Sequence, residues 1–137
     1  MGTSLYSIQK SIRDELANDS QLKELITGVF DEVLQDKTYP LIQVGEPTES
    51  RFDTFDRIGK DVTFPILIWS NYKGFKEAYQ ILDRVNELLD YQEIQIDNYT
   101  TVYIRAEEVN AFRDDREFRQ VVANFRVIVQ EVGDNNE

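Results

Sequence analysis

A hydrophobic strand that leads directly into an amphipathic helix constrains this chain more than any other stretch. The strand runs from Phe64 to Trp69, and a polar turn from Ser70 to Gly74 follows it. Ser70 or Asn71 is a candidate N-cap, because its side chain can accept a hydrogen bond from an unpaired backbone N–H. Trp69 and one helix face are predicted to lie in the core, and the apolar residues of that face recur at steps of three and four: Phe75, Ala78, Tyr79, Leu82, Val85 and Leu89.

Pro65 constrains where this strand lies in a sheet. Proline has no N–H to donate to a ladder, so a strand that contains it is expected at a sheet edge or beside a bulge. We therefore predict that the strand from Val62 to Trp69 lies at an edge or carries a bulge near Pro65. A strand of another subunit can add at such an edge, which makes Thr63 and Pro65 candidate contact residues.

Helical spacing also marks the start of the chain. The first helix is predicted to begin at the candidate cap Ser4 and to turn Leu5, Ile8, Ile12 and Leu16 to one face. Asn18-Asp19-Ser20 interrupts it, and a shorter helix with Leu22, Leu25 and Ile26 ends before Gly28. The segment from Val29 to Lys37 fits either a short strand or a packed loop. The run from Leu41 to Val44 is predicted to be a strand, which begins after Pro40.

The polar segment from Glu46 to Asp61, here called the arm, is longer than most connections in compact domains. Its apolar residues have a spacing that suits a short helical turn. Two interpretations stay open: a hairpin whose aromatic side chains fold back on the core, or a mobile arm that orders against a partner, since long loops often bind. The second makes these arm residues candidate contacts: Arg51, Phe52, Phe55, Arg57 and Ile58.

The last third of the chain alternates apolar and polar residues with a period of two. Thr101–Phe112 and Phe118–Val129 therefore predict two strands, joined as an antiparallel hairpin by a charged turn at 113–117. Phe118 and Phe125 are predicted core residues. The connection from Asp90 to Tyr99 is polar, with a short strand around Ile94 and Ile96 as one option, and residues 133–137 are expected to fray.

These elements predict one α+β domain over residues 1–132. Its mostly antiparallel sheet is expected to have about four strands, with two main helices packed on one face.

The composition removes most catalytic chemistry. The 137 residues include neither Cys nor His, which excludes thiol catalysis, imidazole bases, disulfides and zinc sites built on those residues. Two clusters of acidic residues offer carboxylate oxygens, the ligands that Ca²⁺ and Mg²⁺ prefer. They are Asp53, Asp56 and Asp61 in the arm, and Asp114, Asp115 and Glu117 in the last turn. Neither group has the spacing of a calcium loop, so we predict no catalytic residues, no metal and no cofactor.

The charge limits the partners. There are 26 acidic and 15 basic residues, for a formal charge of −11. Contacts to phosphates need clustered Lys and Arg, so DNA is not expected to be read as a ligand. The first residues lack the basic flank and apolar run of a signal peptide, and no apolar run approaches about 18 residues. We expect a soluble protein made in a cytoplasm, with no membrane partner.

A family resemblance rests on the order of these features and on a few residues. After a broken N-terminal helix come Pro40-Leu41-Ile42, Gly45-Glu46 and the Asp-containing arm, and then Ile68-Trp69-Ser70 with Gly74 and Ala78 opening a helix. This order, from Leu5 to Val129, resembles the tail-completion proteins of long-tailed bacteriophages, also called tail terminators or head–tail joining proteins. Two features depart from the pattern: Pro65 inside the strand, and an acidic balance stronger than the pattern requires.

The resemblance implies a structural virion protein and not an enzyme. Members of the family form a hexameric ring at the head-proximal end of the tail tube, stop tube polymerisation and dock the tail to the head connector. The implied partners are other copies of the chain, the major tail tube protein and a head-completion or connector stopper protein. DNA would pass through the lumen without specific binding, in a virion assembled in the host cytoplasm.

Two alternative functions remain from the residues alone. One is a head-side connector or stopper protein, and the other is a small adaptor domain that binds one protein through the arm. An enzyme is the weakest interpretation, and measurable metal binding by the folded protein would revive it.

Overall fold

The computed structural model describes residues 3–32, 38–54, 57–113 and 118–132. These residues contain the helices α1 (Leu5–Ala17), α2 (Ser20–Leu25) and α3 (Lys76–Leu89). They also contain the strands β1 (Val29–Phe30), β2 (Leu41–Val44), β3 (Thr48–Arg51), β4 (Gly59–Ser70), β5 (Tyr99–Arg113) and β6 (Arg119–Glu131).

All six strands belong to one sheet in the order β1-β2-β4-β6-β5, and β3 pairs with β4 beyond the end of β2. The pairs are antiparallel except for β1 and β2, which are parallel. The predicted α+β class with a mostly antiparallel sheet is confirmed. The predicted number of strands was too low, because β1 and β3 are too short for a hydrophobic period to mark them with certainty. α2 is the short helix expected after the break, and it adds a third helix to the two main ones.

The helices cover one face of the sheet, and the core lies between the two layers. α1 buries Ile8, Ile12 and Leu16 there. α3 buries Ala78, Ile81, Leu82, Val85 and Leu89. The central strands contribute Val62, Phe64, Ile66, Ile68, Val121, Ala123, Phe125, Val127 and Val129. Each large apolar side chain removed from water in this way stabilises the fold by roughly 1.5–3 kcal/mol.

Trp69 and Tyr79, both predicted in the core, lie outside it. Alternate residues of a strand face opposite sides, so Trp69 lies half-buried on the face without helices, where its Nε1 donates to Gln43 Oε1 at 3.0 Å. Tyr79 is 45% exposed and stacks on the half-buried Phe75. Ile81 points inward in its place, because it lies three residues after the fully buried Ala78.

The two predicted serine caps act differently from the expectation. Ser4 precedes α1 but makes no capping bond, and the Leu5 N–H is bound by Thr3 Oγ1 at 2.8 Å. Ser70 accepts from the N–H of Tyr72 within the turn before α3 and donates to Glu77 at 2.6 Å. The break after α1 lies where it was predicted, and the Asp19 side chain, which was not predicted as a cap, caps α2 through the N–H of Leu22 at 2.9 Å.

Of the two options for the strand of Pro65, the edge was wrong and a bulge near Pro65 is found, although the partner of β4 carries it. β4 is central, with β6 along one side and β2 and β3 in succession along the other. Pro65 fits there because the register moves by one residue between Val44↔Ile66 and Thr48↔Thr63, which leaves a bulge in the partner opposite the proline. The Pro65 carbonyl accepts from the N–H of Gly45 at 2.8 Å. The Pro65 nitrogen, which has no hydrogen to donate, therefore faces this bulge, where the hydrogen bonds of the ladder are already interrupted.

The final hairpin forms as predicted, with β5 and β6 longer than expected and with irregular pairing in β5 beside Val102 and Glu107. Val29 and Phe30 form the short strand that was one option for their segment, whereas residues 33–37 lie outside the described part. The option of a strand at Ile94 and Ile96 reduces to one isolated bridge between Ile96 and Tyr99. The expected fraying concerns residues 133–137, which also lie outside the described part. Among the described helices, none is long and apolar enough to cross a membrane.

Candidate assembly surface

The arm is a β-hairpin. β3 pairs with the first part of β4 from Thr48↔Thr63 to Arg51↔Lys60, as the hairpin interpretation predicted. Residues 52–54 and 57–58 are not helical, and the centre of the predicted helical turn lies outside the described residues. Its side chains do not all fold back, because Phe52 is 39% and Ile58 is 40% exposed. Phe55 lies outside the described residues.

The loop at the tip of the arm is closed by local hydrogen bonds. The Phe52 N–H donates to Gly59 O at 2.9 Å, and Asp53 accepts from both the Gly59 N–H and the Arg51 guanidinium. Hydrogen bonds from Arg51 hold the pKa of Asp53 below its ordinary value. A Cβ at position 59 would lie 2.2 Å from the Phe52 carbonyl oxygen, so the closure requires glycine there.

The tip is also fastened to the end of β6. The Glu131 N–H donates to the Ile58 carbonyl at 2.8 Å, and Arg57 Nη1 donates to the Glu131 carbonyl at 3.2 Å. Two bonds between segments far apart in sequence hold Arg57 and Ile58 in a fixed place relative to the sheet. Of the candidate contacts in the arm, Arg51, Phe52, Arg57 and Ile58 therefore form one exposed surface, here called the tip surface.

Glu49 anchors the base of the arm to the first helix. Its carboxylate accepts from the Ser4 N–H at 2.8 Å, from the Ser4 hydroxyl and from the Thr3 hydroxyl, and Lys60 Nζ lies 3.9 Å away. Burial alone would raise the pKa of Glu49, but the bonds from Ser4 outweigh it, so the pKa is lowered. The ionised carboxylate beside the start of α1 also suits the positive end of the helix dipole.

The face of the sheet without helices, here called the open face, holds the remaining candidate contacts. Thr63 is exposed and Pro65 half-buried on it. Leu67, Trp69 and Val122 are half-buried neighbours on the same face. Most of the middle of the open face is thus uncharged, in a chain with 30% charged residues.

Ion pairs occupy one end of the open face. Arg126 donates to both carboxylate oxygens of Asp61, at 3.0 and 2.6 Å, and Glu107 lies between Arg126 and Arg105. The two bonds to Asp61 raise the pKa of Arg126. This paired geometry is typical of Arg with a carboxylate, and it satisfies both partners within the chain.

No metal-binding constellation is found among the described residues, where no group of three or more Asp or Glu is placed to hold an ion. Asp53 and Asp61 are each bound to an arginine and lie in separate ion pairs. Asp56, Asp114, Asp115 and Glu117 lie outside the described residues.

Sequence reasoning missed the Glu49 anchor and the ion pairs of the open face. Glu49 binds Ser4, which lies 45 positions earlier in the sequence, and no local pattern indicates such a contact. The positions of the arginines carried a clearer signal in the sequence. Arg105 and Arg126 both lie at polar positions of strands that alternate apolar and polar residues, and they are opposite each other in the register of the hairpin.

Comparison with known proteins gives three findings. The family model for the tail completion protein gp17 matches residues 10–130. The tail completion protein gp17 of Bacillus phage SPP1 is 26% identical over 96 residues, which are 70% of this chain and 71% of that protein. A chain from the virion of a native gene transfer agent particle has the same fold, with a TM-score of 0.85, 19% identity, and coverage of 95% of this chain and 99% of that one.

The family match spans nearly the whole chain, from within α1 to one residue before the end of β6, so α2, α3, the bulged partner of β4 and nearly all of the final hairpin fall within it. The resemblance drawn from the order of the elements is confirmed. This chain belongs to the gp17 family of phage tail completion proteins.

Proposed function

We propose that this protein caps the head-proximal end of a phage tail tube, ends tube polymerisation and joins the tail to the head connector. The match of the tail completion family to residues 10–130 is the observation that carries the proposal. A purely structural role agrees with a chain that lacks Cys and His and with the chemistry of the candidate surface, where Arg51 and Arg126 form ion pairs with Asp53 and Asp61.

The protein works as a hexameric ring in this proposal, and the tip surface makes the contact to the next subunit, the tube or the connector. A ring needs a heterologous contact, in which one surface meets a different surface of the neighbour. The tip surface suits such a contact, because it combines exposed Phe52 and Ile58 with the guanidinium groups of Arg51 and Arg57. Aromatic residues and Arg are enriched at protein interfaces.

A stop codon early in the gene of the parent phage or prophage tests the joining role. The lysate is examined by negative-stain electron microscopy. Filled heads beside unattached tails, including tails of excess or irregular length, are the expected result. Empty heads that have lost their DNA would instead favour the head-side stopper alternative. Intact virions in normal yield would exclude the joining role and favour the adaptor alternative.

Two surface variants test the tip surface. Phe52→Ser with Ile58→Ser should leave the fold intact and reduce the yield of joined particles, because both side chains are already exposed in the single chain. Tyr72→Ser with Tyr91→Ser is the matched control, since these side chains are 51% and 71% exposed and lie outside the arm. Equal particle yields from the two double variants would remove the tip surface from the assembly contacts.

The negative charge has a use if a part of the ring surface lines the channel. Each subunit contributes a formal charge of −11, and a negative lumen lets polyanionic DNA slide without adhering. Lysine replacements of lumen carboxylates, once the ring is imaged, should slow DNA ejection. Unchanged ejection would show that the charge has no such role.

A further inference from the structure

The second half of β5, residues 107–113, is a strand edge that no other described segment covers. In the part of the chain that the structure describes, β5 is the last strand of the sheet and pairs with β6 alone. The chain covers the earlier part of this edge itself, since the Tyr91 N–H donates to the Ile104 carbonyl at 2.7 Å and Asp90 accepts from the Ala106 N–H at 2.8 Å. Beyond Ala106, no other described segment hydrogen-bonds to the β5 backbone.

The middle of the uncovered segment, residues 109–112, lacks the usual protection of an edge strand. Natural edges are kept short, bear charges or proline, or twist away at a bulge. Here the bulge lies at Glu107, the first residue of the segment, and charged residues stand only at the two ends of the segment. Val109-Asn110-Ala111-Phe112 between them carries neither a charge nor a proline. Val109 is 42% and Phe112 is 50% exposed.

The segment is complementary to itself when two copies run antiparallel. Its sequence has Glu107 and Glu108 at one end and Arg113 at the other. Antiparallel pairing brings the glutamates of each copy to the end where the other copy has its arginine, whereas parallel pairing places like charges together, which is destabilising. A two-fold axis at Asn110 places Val109 of each copy opposite Ala111 of the other.

We propose that residues 107–113 form a strand-addition site for a second copy of this chain, paired antiparallel about Asn110. The contact is isologous, so it closes at two copies and does not propagate into fibres. That closure explains how an unprotected edge is tolerated. The site is three strands from β3 in the sheet order, so it is separate from the tip surface and does not rest on the proposed tail function.

Disulfide cross-linking tests the register directly, because the chain has no native Cys. In the proposed dimer the two Asn110 residues are directly opposite, with Cβ atoms roughly 5 Å apart. Asn110→Cys should therefore form a disulfide-linked dimer under mild oxidation. Phe112→Cys is the matched control on the same strand and face, because its two copies lie roughly 13 Å apart along the strand, beyond the reach of a disulfide.

Sedimentation velocity over a wide range of concentrations measures the association itself. The unmodified protein should show a concentration-dependent monomer–dimer equilibrium, and Val109→Lys should shift this equilibrium severalfold towards monomer. Tyr79→Lys, an exposed site on α3, should leave it unchanged.

Three results would overturn the proposal: a monomer at every concentration, equal cross-linking by Asn110→Cys and Phe112→Cys, or a dimer that Val109→Lys does not weaken. None of these results bears on the stop-codon experiment. A failure of the dimer and a failure of the tail function are therefore distinguishable.

Discussion

At the residue scale, Glu49 is the side chain that joins the base of the arm to the start of α1. Its carboxylate accepts three hydrogen bonds from Thr3 and Ser4. Glu49→Gln removes the charge and leaves the Ser4 donors with a weaker acceptor, so we expect the free energy of unfolding to fall by about 1–3 kcal/mol. Urea unfolding measures the change, and Glu24→Gln, at an exposed site on α2, is the control with little expected effect.

Asp19 makes stability depend on pH. It accepts two bonds from Arg84, at 2.9 and 2.6 Å, and caps α2, and these bonds lower its pKa despite burial. A carboxyl whose pKa is lower in the fold adds stability above its unfolded pKa of about 4, and this is lost as pH falls through the folded pKa.

Asp19→Asn should therefore destabilise the protein clearly at about pH 7 and less at about pH 3, where unfolding of the wild-type protein is accompanied by protonation of this carboxyl. Urea unfolding of both proteins at the two pH values gives the comparison. An equal difference between them at both pH values would contradict the role of the charge.

Gly59 is a residue whose replacement is predicted from one distance. An alanine Cβ would meet the Phe52 carbonyl oxygen, a backbone atom that cannot rotate away. Gly59→Ala should cost roughly 1–3 kcal/mol and distort the tip of the arm. At Gly28 the nearest atom to a new Cβ belongs to the Phe30 ring, which can move. Thermal unfolding should therefore find Gly28→Ala the milder change, and the reverse order would refute this account.

At the scale of elements, the two faces of β6 differ in what covers them. Val121 is fully buried under the helices, whereas its neighbour Val122 is half-buried on the open face. Val121→Ala should lower the free energy of unfolding by about 2 kcal/mol and Val122→Ala by less than about 1 kcal/mol. Equal losses in the isolated protein would mean that something other than the described residues covers the open face.

The same alternation shows how far the strands could be predicted. The buried face of β6 can be identified from the sequence, because the alternation of apolar and polar residues continues over many positions. This alternation correctly predicts that Phe125 lies in the core. The prediction for Trp69 was wrong because the strand from Phe64 to Trp69 is apolar at almost every position. Such a run does not say which residues face the helices, and only the packing of α1 and α3 decides it.

At the scale of the whole molecule, charge is the property with a direct consequence. With a formal charge of −11 and Arg126 and Arg51 both bound to carboxylates, the protein offers little to a DNA backbone. Fluorescence anisotropy with a duplex oligonucleotide should detect no binding at physiological salt. Binding that weakens steeply with added salt would reveal a basic surface, because phosphate contacts release counterions.

The sequence by itself determined the local elements and the class of the fold. The spacing of Ile8, Ile12 and Leu16 defines one face of α1, and the period of two defines the last hairpin, because both patterns are properties of a single element. The absence of Cys and His removes whole classes of chemistry, whatever the fold. The order of the elements was enough to suggest the tail completion family.

Tertiary structure alone decided which strands are neighbours. Pro65 has no backbone N–H to donate to a neighbouring strand, and its strand is nevertheless central. A central position is possible because Pro65 lies opposite a bulge, which residues some twenty positions earlier contribute. The uncovered edge therefore belongs to β5 and not to β4. Pairing between distant segments depends on the whole arrangement of the chain, and for that reason the surfaces available to a partner are not legible from local spacing.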